Sequence, residues 1–303
     1  MSSRAIRYSI IIPTYNNWNA LNRVLPVVLA QANARGDVEV IVVDSSDDGT
    51  KEQLREMFSS IVLLHLPERI FQGRARKLGA SKASGEILIF LDGDCLPDEG
   101  WLSGLRAASA DLSSGIVCGA VDLYEPCDLS QFMEYVFWKL PENSSVPRGP
   151  YEFVIAENMM MRSEDFWKTR GFGELESFTD AVMDSARREV GLGMTFEPTA
   201  RVFHIHPRGW RLHFGKLYRT GSQLFAFITL SNYQAGKWSI FLFPVVFLVR
   251  WMRITWRVLR YRPKWIGRYL LLQPMLWVGL VAYQAGMWRG LFKRILSQNQ
   301  AQK

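Results

Sequence analysis

The stretch Gly85–Asp98, GEILIFLDGDCLPD, decides the fold of this chain. Its five apolar residues, Ile87 to Leu91, predict a strand that is buried on both faces. Asp92 and Asp94 follow at once, and residues two apart point to the same side of an extended chain. Their carboxylates are oxygen ligands of the kind that a hard divalent cation takes. An isolated D-x-D is more often a polar turn after a strand, so the rest of the chain has to decide between these interpretations.

Strand and helix patterns alternate on both sides of this stretch. The predicted strands, besides 87–91, are 8–12, 38–43, 61–66, 116–123 and 154–162, and the predicted helices are 19–35, 50–58, 74–83, 97–108, 131–140, 181–190 and 212–230. Apolar strands in such an alternation predict an α/β fold, in which helices cover both faces of a parallel sheet. Ligands of such sheets bind beyond the carboxyl ends of the strands.

Three of the predicted strands end in polar residues of the kind that bind ligands. These residues are the loop Pro13-Thr14-Tyr15-Asn16, then Asp44, and finally Asp92 with Asp94. Their convergence favours a functional site at this edge of the sheet. The sequence contains neither G-x-G-x-x-G after a strand nor G-x-x-x-x-G-K-[ST]. A bound nucleotide would therefore be held by carboxylates and a metal ion, and not by a glycine-rich phosphate cradle.

The distribution of charge predicts two domains, at residues 1–210 and 211–303. Up to Ala200 the chain has nineteen Lys and Arg against twenty-nine Asp and Glu, whereas Arg201–Lys303 has seventeen basic residues and no acid. Seven of the eleven tryptophans also lie in that second part. A basic, tryptophan-rich region behind an acidic body indicates a surface for anionic lipid, nucleic acid or an anionic substrate.

The cysteines and the N-terminal residues indicate a reducing environment. Cys95, Cys118 and Cys127 form neither a disulfide framework nor a zinc spacing, so we interpret them as buried thiols. The apolar run Ile10–Ile12 is interrupted by Pro13, which does not fit a signal peptide. We therefore expect the catalytic part of the chain to lie in the cytosol.

The succession of motifs resembles the family 2 glycosyltransferases of the GT-A fold. The motifs are SIIIPTYNN, VEVIVVDSSDDGT, GRARKLGASKASGEILIFLDGD, ENMMMR, TRGFGELESFTD and ARVFH, and they extend from about Tyr8 to His206. The resemblance implies a Rossmann-like mixed sheet flanked by helices. It also implies a hexosyltransferase that moves a sugar from a nucleotide-sugar to an acceptor with inversion, with Mn²⁺ or Mg²⁺ as cofactor. UDP-sugars are the expected donors on this resemblance alone.

The resemblance assigns roles to individual positions. The residues that match donor-binding positions are Pro13, Tyr15, Asn16, Asp44, Arg76, Asp92 and Asn158. Among these, Asp44 matches the acid that holds the base or the ribose, and Asn158 matches a residue that lines the sugar or acceptor pocket. The residues that match the metal site are Asp92, Asp94 and His204, with His206 in reserve. Each histidine, taken singly, is more often a satisfied core or surface residue.

The general base is expected at Asp180. This residue matches the second acid of the family's Glu-Asp pair, but Thr179 replaces the Glu and Val182 replaces a further acid. Asp184, one turn later, is the reserve candidate. Without the resemblance, Asp180 would equally well be an N-terminal cap of the helix 181–190. The altered motif motivates a second hypothesis, a catalytically weakened homologue that binds a nucleotide-sugar or acts as a scaffold in a membrane glycan-assembly complex.

The basic region is expected to lie at the cytoplasmic face of a membrane. Ile240–Val249 is too short to cross a bilayer, and Tyr269–Trp288 is twenty uncharged residues interrupted by Gln and Pro. Four arginines at 250, 253, 257 and 260 fall on one helical stripe, which is expected to face lipid phosphates. A solvated charged face is the alternative. In-plane or re-entrant helices are favoured over a hairpin, which would place seven basic residues on the far side. A hairpin and a single span through Tyr269–Trp288 stay open as alternatives.

A membrane location has consequences for the partners of the protein. It predicts an anionic lipid surface as one partner and a membrane-bound or lipid-linked acceptor as another, in polysaccharide or glycolipid biosynthesis. A nucleic-acid partner is not expected, because the cations of the region 201–303 are interleaved with long apolar runs.

Overall fold

A computed structural model describes residues 6–113, 115–230 and 243–301. It divides into two compact units. The first unit is Met1–Asp122 with Glu142–Ile205, and the second is Leu123–Pro141 with His206–Lys303. Residues 123–141 therefore group with the C-terminal part of the chain, although the domain prediction placed them in residues 1–210. The functional division of the chain at residue 210 stays a prediction.

The first unit is an α/β structure that follows the predicted alternation. Its strands are β1 (Tyr8–Thr14), β2 (Val38–Asp44), β3 (Val62–His65), β4 (Ile87–Leu91), β5 (Cys95–Pro97), β6 (Gly115–Leu123), β7 (Gly149–Pro150), β8 (Asn158–Arg162) and β9 (Gly193–His204). Its helices are α1 (Trp18–Asn33), α2 (Thr50–Met57), α3 (Gln72–Lys82), α4 (Trp101–Ala107), α6 (Ser163–Lys168) and α7 (Thr179–Glu189). Helix α5 (Leu129–Trp138) belongs to the second unit.

The sheet is mixed, in the order β3-β2-β1-β4-β8-β6-β9-β5, with β7 paired to β9. Strand β1 lies between β2 and β4 and is parallel to both, and β2 is parallel to β3. Strand β8 is antiparallel to β4, so a strand that comes late in the chain lies beside the opening stretch. The prediction of a purely parallel sheet is therefore wrong for the half of the sheet that follows β4 in the strand order. The mixed sheet implied by the resemblance is confirmed.

The opening stretch lies at the centre of the core. All five residues of β4 are buried, because a parallel neighbour, an antiparallel neighbour and helices on both faces surround it. The sequence analysis did not predict β5 or β9. Strand β9 has twelve residues and pairs with β5 so that Cys95 lies opposite His204. This register brings the end of the DGD motif next to the end of β9.

The second unit is helical. Besides α5 it contains α8 (Trp210–Leu230), α9 (Phe243–Tyr261) and α10 (Ile266–Ala301), with a short 3-10 turn at Pro263–Trp265. Buried aromatic and aliphatic side chains from all four helices form its core, among them Phe132, Leu217, Ile254, Val258, Leu272 and Leu276. The predicted apolar run Ile240–Val249 lies partly outside the described residues, and α9 begins at Phe243.

The four arginines of α9 do not share one environment. Arg253 and Arg260 are exposed, and Arg257 is half-buried. The guanidinium of Arg250 lies over three aromatic rings of the unit, so it faces inward in part, whereas the prediction placed it on a stripe that faces lipid phosphates. Residues 263–293 include a helix that is long and apolar enough to cross a membrane by its length and composition. The core helix of a soluble protein meets the same criterion.

Candidate active site

The loops after the first two strands are joined by reciprocal hydrogen bonds. Asn16 has a positive φ of 48°, and its backbone N–H donates to Ser46 Oγ at 2.8 Å. Its side-chain amide donates to Asp47 Oδ1 at 2.7 Å and accepts from the Asp47 backbone at 3.1 Å. The structure thus brings the predicted Asn16 and the loop after Asp44 together at the carboxyl edge of the sheet.

Asp44 is completely buried and binds a residue that the sequence analysis missed. Its Oδ2 lies 2.7 Å from His65 Nδ1, and its Oδ1 accepts a hydrogen bond from the Ser46 backbone at 3.1 Å. Asp44 and His65 are paired in register and end β2 and β3. No such signal was present in the sequence, because the strand was predicted to run to Leu66, whereas β3 ends at His65. His65 and the Ser46 backbone therefore hold the Asp44 carboxylate in place at the edge of the sheet.

A second residue that sequence reasoning missed is Arg69. Its guanidinium lies 4.5 Å from the centre of the Tyr15 ring, and its Nη2 lies 3.4 Å from Glu176 Oε1. Tyr15 is half-buried beside this cation, whereas Pro13 is buried within β1. The predicted loop after β1 is therefore in contact with the segment that follows β3, and through Arg69 with the segment that leads into α7.

Arg76 connects the end of β4 to the start of α7. Its side chain is 1% exposed, its Nη2 lies 2.5 Å from Asp92 Oδ1, and its Nη1 donates to Thr179 Oγ1 at 3.4 Å. Its guanidinium also lies 4.9 Å from the centre of the Phe172 ring. Burial alone would lower the pKa of Arg76, but the charges of Asp92 and Asp180 outweigh this effect and raise it. Arg76 therefore stays a cation between two of the predicted site carboxylates.

Asp180 lies in the first turn of α7 and is partly exposed. It is not the N-terminal cap, because α7 begins at Thr179 and the capping position is Phe178. The Thr179 hydroxyl donates to Asp180 Oδ1 at 3.3 Å. Phe178 has a φ of +67°, a left-handed conformation that is rare for a large side chain and is often found at functional sites. Thr179, which replaces the Glu of the family's motif, therefore contacts both Asp180 and Arg76.

The reserve candidate Asp184 has a different environment. Its Oδ1 accepts from Arg187 Nε at 2.8 Å and its Oδ2 from Arg188 Nε at 2.9 Å, both on the same helix. Both carboxylate oxygens are therefore engaged in ion pairs. Asp184 could take a proton from an acceptor only by giving up one of these two contacts.

Asp94, Cys95 and His204 form the cluster that could hold a metal ion. One ligand atom from each lies within 4.8 Å of the others, and His204 Nε2 is 3.8 Å from Asp94 Oδ1. The Ile205 backbone N–H donates to the Asp94 carbonyl at 2.8 Å, which holds the end of β9 against the DGD turn. Sequence reasoning interpreted Cys95 as an ordinary buried thiol and missed its place in this cluster.

Two predicted metal ligands lie outside this cluster. Asp92 was predicted as a ligand, but its carboxylate is bonded to Arg76. His206 lies in the second unit, where its ring packs edge-on against Tyr135 at 6.2 Å. The structure therefore places Asp94 with His204 and does not place Asp92 or His206 with them.

Asn158 joins three neighbouring elements of the first unit by hydrogen bonds. It is completely buried, its Oδ1 accepts from Trp101 Nε1 at 2.9 Å, and its Nδ2 donates to the carbonyls of Ala120 and Ala200. These bonds link β8 to α4, β6 and β9. Because the side chain is completely buried and both of its amide protons are bonded, Asn158 has a structural role, and its predicted contact with a sugar or acceptor stays a prediction.

The sequence matches the model of one protein family. The match is to glycosyl transferase family 2 and spans residues 9–170, more than half of the chain. The chain belongs to this family.

Its relatives among characterised proteins include the glycosyltransferase AglE of Haloferax volcanii, 37% identical over 125 residues, which are 39% of this chain and 41% of that protein. Mouse polypeptide N-acetylgalactosaminyltransferase 12 is 35% identical over 125 residues, 39% of this chain and 21% of that enzyme. The family 2 chain thus covers less than half the length of either relative.

Solved structures show that this fold is the GT-A fold. The mannosyltransferase PcManGT from Pyrobaculum calidifontis, in complex with GDP-Man and Mn²⁺, has a TM-score of 0.58 at 17% identity, over 96% of this chain and 88% of that one. TarS from S. aureus has a TM-score of 0.55 at 14% identity, over 93% and 90%. GalNAc-T7 with UDP, GalNAc and Mn²⁺ has a TM-score of 0.55 at 19% identity, over 67% and 44%.

The residues of the family 2 chain fit a divalent cation at the DGD turn. A carboxylate, an imidazole and a thiol converge there, and all three are donors for divalent first-row metals. Asp94 keeps partial exposure beside the buried His204, so the cluster has one side from which a ligand can approach. This donor set suits Mn²⁺ at least as well as Mg²⁺, which prefers oxygen ligands.

Proposed function

We propose that this chain transfers a sugar from a nucleotide-sugar to an acceptor with inversion at the anomeric carbon. One observation carries the proposal: Arg76 bonds to Asp92 and to Thr179, and so connects the DGD turn with the start of α7, where Asp180 lies. The buried Arg76 guanidinium thereby links the turn that carries the candidate metal site to the helix start that carries the candidate base. Family membership supports the same reaction class.

The donor is proposed to bind across the carboxyl edge of β1, β2 and β3. Tyr15 beside Arg69 offers a flat surface to a nucleobase, and Asn16 orders the adjoining loop. Two similar structures were determined with GDP-Man or with UDP and GalNAc, which supports a nucleotide-sugar as donor. We propose a UDP-hexose as the first donor to be tested, on the resemblance alone.

The cation is proposed to be Mn²⁺ or Mg²⁺, held by Asp94 and His204. When bound, it would stabilise the negative charge of the leaving nucleoside diphosphate. Asp92 is proposed to act in donor binding through Arg76, because its carboxylate orients that guanidinium. Asp94 and His204 are fixed relative to each other by the pairing of β5 with β9.

Asp180 is proposed as the general base. An alcohol is a poor nucleophile at neutral pH, and a carboxylate in hydrogen-bond reach removes its proton as the new C–O bond forms. Attack from the face opposite the leaving group inverts the anomeric carbon and needs no covalent intermediate. Thr179 donates to one oxygen of Asp180, which leaves the other oxygen for the acceptor hydroxyl.

Turnover tests this function and separates it from the scaffold hypothesis. Thermal unfolding is measured with a panel of nucleotide-sugars, with and without Mn²⁺, and release of nucleoside diphosphate is then followed with each donor that binds. We expect Mn²⁺-dependent stabilisation by one donor class and release that increases with acceptor. Binding without any release or transfer, in the presence of membrane lipid extracts, would favour the scaffold.

We further propose that the second unit attaches to the cytoplasmic face of an anionic membrane, where the acceptor is membrane-bound or lipid-linked. Of the nineteen large apolar residues exposed in the described part of the chain, thirteen lie in this unit. On α9 they form one stripe at spacings of four, four and three, namely Leu248, Met252, Trp256 and Leu259. The exposed Arg253 and Arg260 lie on the same helix, and no acid occurs after residue 200. Charge and apolar surface together fit a helix in the plane of the membrane.

Sedimentation with vesicles tests the attachment. Trp256→Ser removes a side chain that is 57% exposed on the α9 stripe, and Met57→Ser removes one that is 56% exposed in the first unit. We expect Trp256→Ser to weaken binding to vesicles that contain phosphatidylglycerol by roughly tenfold, and Met57→Ser to leave it unchanged. Removal of residues after about Trp238 should release the chain entirely. A truncated chain that still sediments with lipid would contradict the proposal.

A further inference from the structure

Cys95 lies directly opposite His204 in the pairing of β5 with β9. Residues that face each other in an antiparallel pair have their side chains on the same face of the sheet, with Cβ atoms about 5 Å apart. The Cys95 thiol and the His204 imidazole are both buried, so they form the inner side of the cluster at the DGD turn. Asp94, immediately before β5, is partly exposed and completes the cluster on its outer side.

The separations within this cluster are close to those of ligands that share one cation. Asp94 Oδ1 lies 4.0 Å from Cys95 Sγ and 3.8 Å from His204 Nε2, and one ligand atom from each residue lies within 4.8 Å of the others. A tetrahedral cation with bonds of about 2.0–2.3 Å holds such atoms about 3.4–3.6 Å apart. Side-chain movements of about 0.5–1 Å would therefore bring all three atoms onto one cation.

A sulfur ligand changes which cations a site prefers. Mg²⁺ prefers oxygen ligands in octahedral geometry, whereas thiolate and imidazole favour first-row transition metals and Zn²⁺. The other two cysteines have different surroundings. The Cys118 thiol contacts Met194 Sδ and the Ile155 backbone, and the Cys127 thiol contacts Arg268. Among the residues that the structure describes, only Cys95 lies with both an acid and a histidine at metal-ligand spacing.

We propose that Cys95 is a third protein ligand of the cation at the DGD turn, and that it makes the site select Mn²⁺, Co²⁺ or Zn²⁺ over Mg²⁺. The proposal rests on the cation site of the proposed function, to which it adds a ligand and an order of preference. The thiol binds as a thiolate, and its proton passes to the solvent. Three protein ligands leave further positions of the cation open to the diphosphate oxygens of a donor.

The test uses the full chain and measures cation binding without a nucleotide-sugar. Co²⁺ is the probe, because a cobalt–thiolate bond gives an intense near-ultraviolet charge-transfer band that oxygen and nitrogen ligands do not give. Equilibrium dialysis measures the bound Co²⁺, and competition by Mg²⁺ measures the preference between the two cations. Both are measured with the chain alone and again with inorganic pyrophosphate, which supplies the diphosphate group that the proposed donors share.

The variants separate Cys95 from the other thiols. All proteins carry Cys127→Ser, which removes the thiol that is only partly buried. This parent chain is compared with Cys95→Ser and, as a matched control in the same sheet, with Cys118→Ser, whose side chain is also completely buried. The control matters because a buried cysteine also packs as a small apolar residue.

We expect the parent chain and Cys118→Ser to bind Co²⁺ with the charge-transfer band and to prefer Co²⁺ over Mg²⁺. Cys95→Ser should lose the band and bind Co²⁺ at least about tenfold more weakly. Its affinity for Mg²⁺ should be unchanged, because sulfur contributes little to the binding of that cation.

Several results would overturn the proposal. Co²⁺ bound to the parent chain without the band would do so even if no variant folds, and so would a band that persists in Cys95→Ser. Equal losses of Co²⁺ and Mg²⁺ affinity in Cys95→Ser would show that Cys95 only supports the turn. A parent chain that binds no Co²⁺, with or without pyrophosphate, would overturn the cation site as well. A chain that binds Co²⁺ through Cys95 but transfers no sugar would contradict the transferase proposal alone.

Discussion

The guanidinium of Arg76 lies 2.5 Å from the carboxylate of Asp92, and this pair divides the roles of the two aspartates in the DGD turn. Asp92 balances a buried cation, whereas Asp94 lies with His204 at the candidate cation site. Two carboxylates that are two residues apart therefore have different roles, one as the counter-charge of Arg76 and the other in the candidate cation site. Their substitution by asparagine should have different consequences.

Asp92→Asn should reduce stability more than it reduces cation affinity. It leaves the Arg76 guanidinium buried without its nearest counter-charge, at a cost on the order of 3 kcal/mol in the free energy of unfolding. Asp94→Asn should keep the free energy of unfolding within about 1 kcal/mol of the wild type and abolish the stabilisation by Mn²⁺. Denaturation by urea, with and without Mn²⁺, measures both effects. If Asp92→Asn instead stays stable and loses the response to Mn²⁺, Asp92 is the ligand, as its position in the DGD motif first suggested.

Asp180→Asn should lower the rate of transfer by roughly 10²–10⁴-fold and leave donor binding intact. The reason is that the amide cannot take the proton of the acceptor, while its size and its bond to Thr179 are kept. Asp184→Asn is the matched control on the same helix, where the carboxylate binds Arg187 and Arg188. The main effect of Asp184→Asn should be a lower free energy of unfolding. The base assignment fails if Asp184→Asn is inactive while Asp180→Asn keeps its full rate with a lipid-linked acceptor.

Glu134 should make the stability of the chain depend on pH in the acid range. It is buried, which by itself would raise its pKa, but the charge of Lys216 and the hydrogen bond with His213 hold the pKa well below its usual range. A carboxylate with a depressed folded pKa contributes stability above its unfolded value, near pH 4.3, and loses it as the pH falls further. The difference in unfolding free energy between wild type and Glu134→Gln should therefore shrink as the pH falls below about 4.3.

Urea denaturation at a series of pH values measures this difference. Glu125→Gln is the control, because that carboxylate is about half exposed in its pair with Arg268. Its difference from the wild type should change much less over the same range, since an exposed pair contributes little. A Glu134 difference that is the same at every pH would show that the carboxylate is not coupled to Lys216 and His213 in the way described.

Local patterns predicted most of the strands and helices of the first unit. Strand β4 was predicted at Ile87–Leu91 and is found there, because a short apolar run between a glycine turn and acidic residues has few other conformations. Strand β9 was missed because Glu197, Pro198 and Arg201 interrupt its apolar pattern, and only its pairing with other strands defines it. Such pairing depends on residues far apart in the chain, which a local pattern does not contain.

The candidate site was predictable to the extent that it lies at strand ends. Asp44, Asp92 and Asp94 come directly after predicted strands. The prediction of a parallel sheet therefore placed them at the same edge. The contacts of Asp92 with Arg76 and of Asp44 with His65 depend on which side chains face each other across the folded sheet. The three hydrogen bonds of Asn158 were not predicted for the same reason, since its three partners come from three different elements.

Gly286→Ala should destabilise the second unit, because α8 and α10 touch at their backbones. A Cβ at Gly286 would lie 2.0 Å from the Tyr218 carbonyl oxygen, and one at Gly221 would lie 2.1 Å from that of Tyr283. A methyl group can enter only if the helices separate, at a cost of roughly 1–3 kcal/mol or more in the free energy of unfolding. Gly267→Ala on the same helix α10 meets nothing within 4 Å and should be neutral or stabilising by up to about 1 kcal/mol, because alanine favours helix. Urea denaturation of both variants under identical conditions compares their free energies of unfolding. Equal stability of Gly286→Ala and Gly267→Ala would show that the helices are not in close contact at Gly286.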